Sequence, residues 1–118
     1  MARNVSDQHG RAFEYAITLV LSKRDGATLT QRAQDDQAGD KARFDQLPQN
    51  LSTHFMSGAR CVANHIHVLL PSGTQTNSME IDRLPDVAGT ARSERNVSDI
   101  SLKFPNHVHL NLSIKNNH

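Results

Sequence analysis

The sequence predicts an α/β fold in which an N-terminal helix packs on a short mixed or antiparallel sheet. Three observations predict it. Near the N-terminus, GRAFEYAITLVLSK (10–23) carries a broad apolar stripe at helical spacing. Near the other end, ISLKF and VHLNLSIK (100–104 and 108–115) alternate strictly between apolar and polar residues. Between them, Leu51, Phe55, Ala59, Val62 and Ile66 recur at the spacing of a second amphipathic helix.

Taken in order, residues 1–6 read as a lead-in, and Ser6 or Asp7 is placed to cap a helix running to about Lys23. Ala12, Phe13, Ala16, Ile17, Val20 and Leu21 form its apolar stripe, so most of this helix should be buried. Arg11, Glu14 and Thr18 follow one another on the remaining face. A glutamate is costly to bury in such a helix without a partner or a metal, and the plain expectation is a surface glutamate beside Arg11. Asp25-Gly26 ends the helix. The polar stretch from Thr28 to Leu47, with Gln31, Gln34, Asp35, Asp36, Gln37, Asp40 and Lys41, predicts a solvated helix broken near Gly39, or a partly ordered excursion.

Pro48 punctuates the chain, and the second amphipathic helix is expected from about Gln49 to Ala63. Residues His65 to Leu70 either close that helix or form a short strand. Pro71-Ser72-Gly73-Thr74 is a turn signal, and Met79, Ile81 and Leu84 suggest a strand. Pro85 to Arg95 reads as a loop; Arg83, Arg92 and Arg95 precede the last strands as phosphate-contact candidates or as ordinary surface.

The final segment is the most informative. With Pro105-Asn106-His107 as a three-residue loop, Phe104 faces Val108, Leu102 faces Leu110 and Ile100 faces Leu112. A two-residue loop would set Phe104 against His107, so apolar matching selects the longer one. The same register places Asp99 opposite Ser113, with Lys115 diagonal to it on the polar face. A carboxylate and a lysine brought together suit phosphodiester hydrolysis: the acid holds Mg²⁺, and the lysine orients the attacking water or offsets charge on the phosphate. The plain alternative is an edge ribbon whose polar face is simply solvated. Asp86, in the dipeptide Pro85-Asp86, is a second candidate acid, but its loop context makes it the weaker one.

Composition bounds these readings. In 118 residues, 13 Lys+Arg stand against 12 Asp+Glu, which suggests one domain and no strongly basic surface. A nuclease nevertheless needs acids for its metals. A single cysteine, Cys61, rules out a disulfide framework within the chain and fits a reducing, cytoplasmic compartment. No apolar run approaches a membrane span, so no membrane partner is expected. Cys61, His65 and His67 form a C-x3-H-x-H pattern without the paired spacing of structural zinc sites, and Cys61 is expected to be an inert thiol in the apolar stripe. His107 and His109 lie on the polar hairpin face.

The pattern of acid-opened strand followed by Ser113-Ile114-Lys115 resembles the PD-(D/E)xK nuclease motif, with Ser113 where the second acid would stand. SDQHGRAFEYA (6–16), NVSDISLKF (96–104) and LNLSIKNNH (110–118) together resemble the HaeIII family of type II restriction endonucleases. In that family a G-R-A-[FY]-E-Y helix comes first, and an acid-bearing strand leads to L/I-S-[IV]-K-x-N-H. The middle, about 27–95, matches only in order and length. The resemblance implies a restriction-endonuclease-like core that cuts double-stranded DNA at GGCC with Mg²⁺. It implies Asp99 as metal-binding acid, Lys115 as catalytic lysine, Glu14 as a helix glutamate facing the site and supporting the metal, and Ser113 in the acid position. DNA contacts are expected from Arg92, Arg95, Asn116, Asn117 and His118, and a cognate methyltransferase is expected as a genetic partner only. A migrated acid would fall after Lys115, so the chain is expected to be the N-terminal part of a longer nuclease domain spanning 1–118. The alternative is an inactive truncated remnant that only binds DNA or a partner; a small zinc module is a third reading.

Overall fold

The N-terminal stripe folds into helix α1, Val5–Arg24, in a computed structural model that describes residues 5–71, 73–74, 78–83, 100–105 and 108–112, with side chains described from residue 9. Ala12, Ala16, Ile17 and Leu21 are fully buried, as their spacing predicts. The helix stops where the sequence places its end. Gly26 takes a positive φ of 77°, and the N–H groups of Asp25 and Ala27 both return to the Leu21 carbonyl. A left-handed residue just past a helix is most easily supplied by glycine.

Strand β1, Thr28–Leu29, follows at once and has no counterpart in the sequence reading. Helix α2, Gln31–Asp45, is continuous through Gly39, contrary to the expected break. Two features hold it. The Thr30 hydroxyl caps its first turn by accepting from the Ala33 N–H at 3.1 Å. Its inner face, Ala33, Gln37, Asp40 and Phe44, packs and bonds against its neighbours, and such tertiary contacts outweigh the roughly 1 kcal/mol helical cost of one glycine.

Helix α3, Gln49–Leu69, absorbs His65 to Leu69, so the helical alternative for that stretch is the one realised. Ala59, Ala63 and Ile66 are buried, while Phe55 and Val62 are half-buried. The helix crosses α1 closely at Gly58, where an added Cβ would lie 3.2 Å from Phe13 Cε1. Phe13 and Phe55 meet beside this crossing with ring centroids 5.7 Å apart.

Strands β2 (Glu80–Arg83), β3 (Ile100–Phe104) and β4 (Val108–Leu112) complete a mixed sheet in the order β1-β2-β3-β4. The β1–β2 pair is parallel and the other two are antiparallel. Met79 is buried just ahead of β2, and Leu84, expected in that strand, lies outside the described residues. The hairpin has the predicted register: Ile100 opposite Leu112, Leu102 opposite Leu110, Phe104 opposite Val108. The α/β class and the mixed sheet are therefore as expected.

The core lies between the helices and one face of the sheet. Ala16, Ile17, Val20 and Leu21 of α1 and Ala59, Ala63 and Ile66 of α3 cluster with Ile81, Ile100, Leu102 and Phe104. Each large side chain fully buried there contributes about 1.5–3 kcal/mol by transfer from water. Among the described residues, no helix is long and apolar enough to cross a membrane.

Candidate functional site

Two places in the fold carry clustered polar chemistry: a buried charge network beneath β2, and the uncovered face of the sheet. The network is built on Arg83, the last residue of β2, whose side chain is 1% exposed. Its Nη2 donates to Glu14 Oε1 on α1 at 2.8 Å and to Asp40 Oδ2 on α2 at 2.5 Å. Its Nη1 donates to Gln37 Oε1 at 3.3 Å, and Gln37 Nε2 in turn donates to the Tyr15 carbonyl at 3.0 Å. Arg43 donates to the other Asp40 oxygen at 3.0 Å, and Arg11 stands 3.6 Å from it. One strand and two helices are thus tied through a single guanidinium. The planar fork explains why arginine serves here: it addresses several carboxylate oxygens at once in a fixed geometry.

Three expectations are corrected by this network. Arg83 is not a loop arginine available to phosphates; β2 buries it, and two carboxylates compensate its charge. Asp40 and Gln37 do not belong to a solvated face, because they are the points where α2 meets α1 and β2. Glu14 is not a plain surface glutamate, being 7% exposed and bonded to Arg83, with Arg11 farther off at 3.8 Å. A sequence signal existed for α2: Ala33, Gln37, Asp40 and Phe44 recur at i, i+4, i+7 and i+11, which marks a packed face. No such signal named Arg83 as the partner, since 43 positions separate it from Asp40.

The uncovered face follows from the alternation of the strands. Glu80, Lys103 and His109 form one row across it and Asp82, Ser101 and Asn111 the next. Asp82 is held by Arg32, through Nε at 3.1 Å and Nη2 at 2.5 Å, and by the Thr30 hydroxyl at 2.8 Å. The bond from Arg32, with the Thr30 bond in support, holds the Asp82 carboxyl below its usual 3.8. Thr30 therefore joins the cap of α2 to strand β2.

Arg83, Ile100 and Leu112 stand in one row at the end of the sheet. Asp99 precedes Ile100 in the chain and Ser113 follows Leu112, so both candidates adjoin this row in sequence. Asp99, Ser113, Lys115, Asn116, Asn117 and His118 lie outside the described residues, as do Arg92, Arg95, Asp86 and His107. Of the expected site residues, only Glu14 is described. By sequence parity, Asp99 shares the phase of Ser101 and Lys103 on the open face, whereas Glu14 meets Arg83 on the helix-packed face.

The zinc pattern gains nothing from the fold. Cys61, His65 and His67 are all exposed on α3, and among the described residues no group of three metal-binding side chains forms. Cys61 is a correction: it lies outside the apolar stripe, on the solvent side of the helix. The chain matches no family model, no curated protein and no solved structure.

Proposed function

We propose that the chain carries the core of a Mg²⁺-dependent type II deoxyribonuclease with a restriction-endonuclease-like fold, acting in the cytoplasm on double-stranded DNA at GGCC. What supports this reading is the hairpin register. The pairing of Ile100 with Leu112 leaves Asp99 and Ser113 as the next residues at the same end of two neighbouring strands. A lysine two positions beyond Ser113 then completes an acid and a cation of matching strand parity. The row's third member, Arg83, ties this end of the sheet to Glu14 on α1.

The donor set suits a hard divalent cation, because carboxylate oxygens are the ligands such ions take. Asp99 would hold the metal; Glu14 is bonded to Arg83 on the helix-packed face, opposite in strand phase to Asp99, and is therefore not proposed as a ligand of that ion. Mg²⁺ bound there would supply Lewis-acid polarisation of the phosphate and of a water. Lys115 would orient the attacking water and offset the negative charge developing on the phosphate oxygens. Ser113, in the acid position, donates or accepts a hydrogen bond but supplies no charge. Arg92, Arg95, Asn116, Asn117 and His118 are the assigned DNA contacts.

The deciding experiment incubates the purified chain with a plasmid carrying GGCC sites, with Mg²⁺ and with EDTA. A discrete Mg²⁺-dependent ladder that disappears in Lys115→Ala is the expected result. A ladder that persists unchanged in that variant overturns the assignment of Lys115, and intact plasmid in every lane overturns the activity.

A further inference from the structure

The charge network has a surface side that the reading above does not use. Around Asp40 and Glu14 stand three guanidiniums, Arg11, Arg43 and Arg83, so among the described residues one positive charge is left uncompensated. Arg83 is buried, but Arg11 and Arg43 are each about a third exposed, with side-chain values of 34% and 35%. Both address the same carboxylate oxygen, Asp40 Oδ1, and they reach it from different helices.

Their donors are far from exhausted. A guanidinium has five N–H groups. Among the described residues Arg43 uses only Nη1, which donates to Asp40 Oδ1 and, at 3.3 Å, to the Gly39 carbonyl. Arg11 lies 3.6 Å from Asp40 and 3.8 Å from Glu14, beyond hydrogen-bond reach. Two guanidiniums therefore stand about one buried carboxylate oxygen, Arg43 bonded to it and Arg11 3.6 Å away, each partly exposed and with spare N–H groups among the described residues. The Arg43 fork is already oriented by its bond to Asp40, so an incoming anion need order only that of Arg11.

We propose that Arg11 and Arg43 together form a surface site for a phosphate oxyanion. A tetrahedral phosphate presents enough oxygens to bridge two forks that arrive from different helices, and its charge answers the excess of the cluster. A free phosphate compound and the backbone of a nucleic acid share this chemistry. The site stands independently of whether the chain cuts DNA, because none of its residues is assigned to the cleavage.

The test titrates the whole chain with sodium phosphate against sodium chloride at matched ionic strength, following the arginine Nε–H resonances by NMR. Saturating shifts are expected at Arg11 and Arg43, with affinity falling about tenfold in Arg11→Gln and in Arg43→Gln as one charge-assisted fork is lost. Lys41→Gln, which removes an exposed cation from the same helix, should leave the affinity unchanged. Asp40 keeps Arg83 in these variants, and far-UV circular dichroism checks that they fold. No saturable response beyond chloride, or equal affinity in the arginine variants, overturns the proposal. A second titration with a short DNA duplex separates the sources. A matching loss in the variants assigns the phosphate to the nucleic-acid backbone; undiminished DNA binding beside lost phosphate binding assigns it to a small phosphate compound.

Discussion

Arg83 and Asp40 form a buried ion pair, Nη2 to Oδ2 at 2.5 Å, with both side chains 1% exposed. The pair joins β2 to α2, and Glu14 extends it to α1. Its members come from three elements that meet only on folding, so the network specifies how the helices dock on the sheet. Removing one partner strands the other charge in the interior, and the cost of that is larger than the net worth of the pair.

Asp40→Ala should therefore destabilise the fold by about 3–5 kcal/mol, whereas Asp45→Ala, which breaks an exposed pair with Lys41, should cost under about 1 kcal/mol. Urea unfolding of the two variants checks the contrast. Equal midpoints would show that the Arg83 network is solvated in solution.

Asp82 makes stability depend on pH in a defined direction. Its folded-state carboxyl is held below 3.8, chiefly by the bond from Arg32. A depressed acid contributes stability that is present above its unfolded pKa and is lost as the pH falls through the folded value. Melting temperatures should thus drop on acidification below about pH 4 more steeply in the wild type than in Asp82→Asn. Parallel curves for the two proteins would remove Asp82 from the acid response.

Two helical glycines should answer differently to alanine. Nothing lies within 4 Å of a Cβ built at Gly39, so Gly39→Ala should stabilise α2 by about 0.5–1 kcal/mol. At Gly58 the new methyl would press on Phe13 at 3.2 Å, so the same substitution should gain less or destabilise. Thermal unfolding of both variants, and of Gly58→Ala combined with Phe13→Leu, separates propensity from packing.

Under the proposed nuclease function, Lys115→Ala and Asp99→Asn should each lower cleavage by about a hundredfold or more. Their melting temperatures should stay near that of the wild type. A coupled loss of activity and melting temperature would assign these residues to the fold instead.

Within the hairpin, burial ranks the strands. Leu102 is fully buried on β3, while its partner Leu110 on β4 is only half-buried. Leu102→Ala should cost about 2–5 kcal/mol, and Leu110→Ala clearly less. Similar losses would mean that β4 is covered as well as β3.

Local pattern by itself determined α1, the amphipathic character of α3 and the hairpin register, because each follows from a short-range period. The apolar stripe from Ala12 to Leu21 has one way to be buried, and the alternation from Ile100 to Leu112 admits one loop length that matches apolar with apolar. Where α3 ends was left open, since His65 to Leu70 suits a helix or a strand until the turn is placed. Only the tertiary structure decided the fate of the charged middle. Gly39 argues locally for a break and Asp40 for solvent, yet Arg83 bonds both Asp40 and Gln37, and Gln37 donates to the Tyr15 carbonyl, so α2 stays whole and Asp40 dry. The cost of burying a charge is offset only by a partner at the right distance, and sequence separation of that order carries no local trace of it.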